Sequence, residues 1–222
     1  MGLSPQRLVL ATRNAHKVAE LNRILAATGA GRAVDLVSLV AYPAAPDVAE
    51  TGCTFEENAL LKARAIAAFT GLAAIADDSG LCVDALNGMP GVLSARWAGG
   101  HGDDAANLTL VLSQLADVPT SRRGARFACA AALVMPTAGS LAAGQPPIER
   151  VVTGELAGRL TTSPRGSRGF GYDPIFVPDG DTRTTAEMDP AEKDAISHRG
   201  RAFRALAAVI SELLGPGGAA QQ

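Results

Sequence analysis

Two periods of apolar residues alternate along this chain and mark out its elements. Leu8–Thr12 (LVLAT) is a short apolar run, the pattern of a buried strand. Asn14 can cap the helix that follows, whose apolar face is Val18, Leu21, Ile24 and Leu25, with Gly29 as its stop. Val34–Leu39 reads as a second strand, and the Pro-containing stretch Ala41–Glu50 as a loop. Thr54-Phe-Glu-Glu57 has the capping-box pattern, so a helix runs on to about Phe69 and Gly71 stops it. Leu72–Ala76 is the next strand and ends at Asp77 and Asp78. A turn-rich loop at Asn87–Gly91, a helix over Asp104–Leu115 and a long Ala-rich strand over Arg126–Met135 follow. Pro136–Pro147 is a Gly/Pro/Ala loop, Val151–Leu160 a strand, Thr161–Gly171 a Gly- and Arg-rich loop, and Ile175–Val177 a short apolar segment. Asp189-Pro190-Ala-Glu192 opens a short helix. Ser197 caps a longer one with Phe203, Leu206, Val209, Ile210 and Leu213 on its apolar face, and Gly215–Gln222 is a loose tail. Strands and helices alternate early and mix later, which predicts an α/β fold with a mixed sheet.

Composition narrows the function classes. The chain has 222 residues, 47% of them apolar and 19% charged, an ordinary globular balance with material for a sizeable core. The net charge of -2 gives no general attraction to nucleic acid or to an anionic membrane, so phosphate binding has to come from local cations. Cys53, Cys82 and Cys129 form no CxxC or Cys/His cluster, which argues against a disulfide framework or a zinc site and for a reducing compartment. The longest apolar run, Phe127–Met135, is too short to span a bilayer, and the N-terminus lacks a signal-peptide core. The expectation is a soluble cytoplasmic protein.

Local chemistry then singles out a few stretches. In ATRNAHKVAEL, Arg13 precedes the helix and His16 and Lys17 lie in its first turn. A helix N-terminus carries about half a positive charge, so cations there are unfavourable unless an anion binds. The pattern recurs in DAISHRGRAF, where His198, Arg199 and Arg201 follow the cap Ser197 and Lys193 lies one turn earlier. Two such starts in a chain of near-zero net charge favour a polyanion such as a triphosphate, against the plainer reading of solvated surface cations.

The stretch AIADDSGLCVD sets two carboxylates at a strand end. It is either a turn or a metal-binding carboxylate. Successive side chains in a strand point to opposite faces, so the two aspartates cannot both face one ligand unless the strand has ended; one binds, while the other anchors the turn or bonds to backbone. Magnesium takes hard oxygen ligands, commonly one or two carboxylates plus substrate phosphates, and Glu50 is a candidate second ligand. Glu57 reads as the capping-box partner. Lys62 shares its helix with Asn58 and Leu61, ordinarily a solvated face. In RGSRGFGYDP, Phe170 and Tyr172 stand between glycines, an arrangement that suits stacking on a flat base or anchoring the loop to the core.

As a set, LATRNAHK, ETGCTFEENALLKA, ADDSGLCVDALNGMPGVLSARWAG, GFGYDPIF and EKDAISHRGRA resemble, in this order, the non-canonical purine NTP pyrophosphatases, also called inosine triphosphate or dITP/XTP pyrophosphatases. The resemblance runs from about Leu8 to about Leu214. It implies one two-lobed α/β domain around a deep nucleotide cleft, built on a long mixed sheet, and a homodimer. It implies Mg²⁺-dependent hydrolysis of ITP, dITP and XTP to the monophosphate and pyrophosphate.

By position, Thr12, Arg13, Asn14, Ala15, His16 and Lys17 would hold phosphates. Glu50 and Asp78 would bind the metal, with Asp78 also the general base, and Lys62 and Ser79 would contact substrate. Phe170, Gly171, Tyr172, Asp173, Lys193, His198 and Arg199 would complete the nucleotide site. On this reading Ser79-Gly80 turn the backbone away from Asp78. Arg13 stands where many relatives carry a small residue, Trp97 where tyrosine is more usual, and the loop Pro136–Pro147 is extended. Competing readings are a pyrophosphatase for modified pyrimidine nucleotides, a non-catalytic nucleotide-binding module, and an RNA- or DNA-binding protein, the last opposed by the low net charge.

Overall fold

The computed structural model describes residues 6–27, 34–136 and 146–214. The tail 215–222, the proposed stop Gly29 and most of the 136–147 loop lie outside them.

The elements follow the hydrophobic pattern closely. Strand β1 (Gln6–Leu10) leads into helix α1 (Ala15–Ala27), and β2 (Val34–Ser38) follows. Helix α2 (Phe55–Thr70) is capped by Thr54, whose side chain accepts from the Glu57 amide, while Glu57 Oε2 accepts from the Cys53 amide at 2.6 Å. It ends at Gly71 in the left-handed region. Strand β3 (Ala73–Val83), helix α3 (Asp104–Gln114), and the long strands β4 (Gly124–Met135) and β5 (Ile148–Leu160) come next. The chain closes with β6 (Phe176–Pro178), α4 (Pro190–Ile196, opened by an Asp189/Glu192 capping box) and α5 (His198–Leu214).

The strands form a six-stranded sheet in the order β2-β1-β3-β4-β5-β6. β1 pairs parallel to both β2 and β3, and β5 pairs antiparallel to β6, so the sheet is mixed and the fold α/β as expected. Parallel neighbours need crossovers, and α1 and α2 supply them. Among the described residues no helix is long and apolar enough to cross a membrane.

The chain divides into two compact units, each discontinuous in sequence. The described residues within Met1–Asp78, Ala130–Thr153 and Gly200–Gln222 form the first, with a core that includes Val9, Ala59, Ala63, Ile66, Ala74 and Val134. Residues 79–129 and 154–199 form the second, around Leu81, Val111, Leu115, Phe127, Leu156 and Phe176. The second unit buries the guanidinium of Arg123. A buried charge is tolerated when fully hydrogen-bonded, and Arg123 donates to the carbonyls of Leu115, Val118 and Thr161 at 2.6, 2.9 and 3.0 Å.

One expectation is overturned. Strand β3 does not stop at Ala76 but continues through Asp77, Asp78, Ser79 and Gly80 to Val83. Ser79-Gly80 therefore make no turn. A Cβ at Gly80 would collide with the Gly91 carbonyl oxygen and Ser94 Oγ. The glycine lets the 3-10 turn Gly91–Arg96 pack directly on the strand.

Candidate functional site

The first unit holds an ionic cluster around the end of β1 and Asp77-Asp78 within β3. In a parallel sheet of order 2-1-3, β1 is where the crossovers diverge, and ligands bind outside the carboxyl end of such a strand. The segment after β1 is held by local bonds. Asn14 N–H donates to Thr12 Oγ1 at 3.1 Å, and Asn14 caps α1 through its carbonyl, which accepts from Val18, and its Oδ1, 3.5 Å from the Lys17 amide.

Lys17 extends to β3, its ammonium 2.7 and 2.9 Å from the two oxygens of Asp77. The cation in the first turn of α1 thus has a counter-charge within the chain, and an external anion is not needed to account for it. Arg13 turns elsewhere, donating to Asp47 Oδ1 at 2.7 Å and the Ala45 carbonyl at 3.1 Å on the loop that leads to Glu50. The side chains of Ala15 and His16 lie outside the described residues.

The alternation expected within Asp77-Asp78 is observed. Asp77 meets Lys17, whereas Asp78 meets α2. Asn58, fully buried, donates from Nδ2 to Asp78 Oδ2 at 3.0 Å and accepts the Gly52 amide at 2.7 Å. One turn on, Lys62 places its ammonium 2.7 Å from Glu50 Oε1 and 3.4 Å from Asp78 Oδ1. This lysine is not on a solvated face, since its side chain is only 16% exposed. Asn58 was missed as a site residue, although its i, i+4 spacing to Lys62 set both on one face of α2.

Glu50, Asp77 and Asp78 against Lys17 and Lys62 leave negative charge in excess. Burial pushes the Asp78 carboxyl above its ordinary value, Lys62 opposes the shift, and Glu50 and Asp77 add to it. Burial alone would lower Lys62, but Asp78 and Glu50 outweigh it and the ammonium is held above its ordinary value. An anionic cluster holding a buried carboxylate can both attract a cation and accept a proton.

The second unit carries the other predicted residues. Phe170 is 55% exposed, with Lys193 Nζ 5.3 Å and Arg199 Cζ 5.7 Å from its ring centroid. Tyr172, by contrast, is buried in the core, and its hydroxyl donates to the Ser94 carbonyl at 2.9 Å. The two aromatics, alike in local sequence, take the two alternative roles: Phe170 offers a flat face and Tyr172 anchors the loop. Burial raises the Tyr172 phenol, which stays neutral.

Asp173 is buried and ties the loop together. It accepts from the Phe170 amide and from Thr185 Oγ1, and pairs with Lys193. The Gly171 amide donates to Asp104 Oδ2 at 2.8 Å. Both amides are thus engaged by carboxylates. At the start of α5, Arg199 Nη2 donates to Ser79 Oγ at 3.0 Å, and the His198 ring stacks on Phe127 with centroids 4.9 Å apart.

The Ham1 family model matches residues 8–209. A Streptomyces coelicolor protein named dITP/XTP pyrophosphatase is 61% identical over 209 residues, covering 94% of this chain and 99% of that one. The crystal structure of a nucleoside-triphosphatase / dITP/XTP pyrophosphatase from Mycobacterium abscessus is 55% identical, covers 90% of this chain and 97% of that one, and superposes with a TM-score of 0.74. A HAM1 protein from Coxiella burnetii is 42% identical, covers 93% and 99% of the two chains, and has a TM-score of 0.81. With a family model matching nearly the whole chain and relatives this similar over their full length, the chain belongs to the Ham1 family.

Proposed function

We propose that this chain hydrolyses deaminated purine nucleoside triphosphates, ITP, dITP and XTP, to the monophosphate and pyrophosphate, with Mg²⁺. The observation that carries the reading is the buried Asp78, fixed by Asn58 and facing Glu50 across the Lys62 ammonium. The names borne by close relatives point to the same substrates.

The donor set suits magnesium. Among the described residues no group of three or more His, Cys, Asp or Glu side chains gathers into a metal cage. Glu50 and Asp78 are hard oxygen donors held close by one shared ammonium, and Mg²⁺ commonly takes one or two carboxylates and completes its shell with phosphates and water. Glu50 and Asp78 would hold the ion, which when bound neutralises charge on the phosphates.

The chain's own residues do the rest. A water attacks the α-phosphorus, a new O–P bond forms, the bond from the α-phosphorus to the bridging oxygen breaks, and pyrophosphate leaves. Asp78 orients that water and, as the general base, takes its proton. Lys17 and Lys62 stabilise the charge that develops on phosphate oxygens. In the second unit, Phe170 stacks on the base, and Lys193 and Arg199 bring positive charge to within 5.3 and 5.7 Å of its ring centroid. A homodimer acting in the cytoplasm belongs to this reading, and sedimentation of the purified chain tests the dimer.

The deciding experiment is product analysis on ITP, dITP, XTP, ATP and GTP with Mg²⁺, for the wild type and Asp78→Asn. Monophosphate and pyrophosphate from the first three substrates, lost in the variant, is the expected result. Release of orthophosphate, or an active variant, overturns the assignment.

A further inference from the structure

We propose that Asp104, in the first turn of α3, is a positioning residue for the Phe170 platform; the proposal rests on the reading that Phe170 stacks on the substrate base. Among the contacts that hold the loop carrying Phe170, three lie at or near the ring's own residue. The Phe170 amide is held by Asp173, from within the same loop. The Tyr172 hydroxyl reaches Ser94. A third, also distant in sequence, falls on the residue next to Phe170: Asp104 Oδ2 accepts the Gly171 amide at 2.8 Å, across 67 residues.

The Gly171 hydrogen bond acts directly on the platform. Gly171 has φ 61°, in the left-handed region, and follows Phe170 immediately. The peptide between the two residues is held at both ends, its carbonyl accepting the Asp173 amide at 3.2 Å and its N–H donating to the Asp104 carboxylate, and its plane bears on the direction of the Phe170 side chain. The ring is 55% exposed, so its aim depends on its backbone as well as on the two cations beside it. Hydrogen bonds to charged acceptors are stronger than neutral ones.

Helix capping does not explain this aspartate. The cap of α3 is Asp103, whose side chain accepts from the Ala106 amide at 2.9 Å. A carboxylate at Asp104 also meets the favourable end of the helix dipole, a purely structural role. The two roles separate by substitution. Asn at this position keeps an acceptor for Gly171 and loses the charge; Ala loses both.

The test combines steady-state kinetics on ITP with amide exchange at Gly171. For Asp104→Ala we expect KM for ITP to rise about tenfold, the factor that corresponds to a loss of about 1.4 kcal/mol, with kcat within about twofold and faster Gly171 exchange. Asp104→Asn restores most of the KM and the slow exchange. Asp103→Ala, which removes the cap, lowers the melting temperature and leaves KM alone. An unchanged KM in Asp104→Ala, or an equal rise in Asp103→Ala, overturns the proposal. If the wild type does not act on ITP, the functional reading fails first, and unaltered Gly171 exchange in Asp104→Ala separately refutes the hold on the loop.

Discussion

Lys62 is the residue whose removal tests the electrostatic reading most directly. Lys62→Met keeps much of the aliphatic stem and deletes the ammonium that lies 2.7 Å from Glu50 and 3.4 Å from Asp78. At an effective dielectric of about 20 the gross attractions are about 6 and 5 kcal/mol, and burial of the charges offsets much of this. Breaking a buried pair by removing one partner typically costs about 3–5 kcal/mol, because the remaining charge stays buried. The Lys62 side chain is 16% exposed and that of Asp78 10%, so the loss belongs in this range near neutral pH.

The pH dependence has a definite sign. The Asp78 carboxyl already lies above its ordinary 3.8, and Lys62 is the largest influence pulling it back. Without Lys62 it rises further. A carboxyl with a raised folded pKa takes up a proton more readily folded than unfolded. The deficit of the variant is therefore complete above that folded pKa and shrinks as the pH falls through it. Urea denaturation of both proteins, near neutral and in mildly acid buffer, measures this. Mg²⁺ should raise the midpoint of the variant more than that of the wild type, because the ammonium no longer competes for the two carboxylates. Equal midpoints for both proteins near neutral pH, or a deficit that grows in acid, would refute the reasoning.

Two further substitutions separate binding from packing. Phe170→Ala removes a half-exposed ring, so the melting temperature stays nearly constant while KM for ITP rises by the equivalent of about 1–3 kcal/mol of base stacking; unchanged KM means the base stacks elsewhere. Gly80→Ala forces a methyl group against Gly91 and Ser94, an over-packing expected to cost about 1–3 kcal/mol in thermal or urea unfolding, and wild-type stability would show that the 3-10 turn yields.

Features that depend on near neighbours are legible in the chain before it folds. The Thr54 cap, the Gly71 stop and the apolar faces of the helices are written within a few residues, and the structure reproduces them. Period two also limits the aspartate pair, since adjacent side chains within a strand cannot both face one ligand. The motifs sufficed for the family.

Tertiary structure decided what those charges do. A strand carrying two adjacent aspartates reads as ended, because isolated buried carboxylates are costly. Yet β3 runs on, because Lys17 lies 60 residues from Asp77 in sequence and Asn58 20 residues from Asp78, and chain folding brings each to its partner. Phe170 and Tyr172 have nearly the same glycine surroundings, and packing alone buries one and exposes the other. Asp104 meets Gly171 across 67 residues with no local signal. Local sequence encodes short-range hydrogen bonds and periodicity, whereas the state of a buried charge depends on groups supplied by other elements, which only the folded chain assembles.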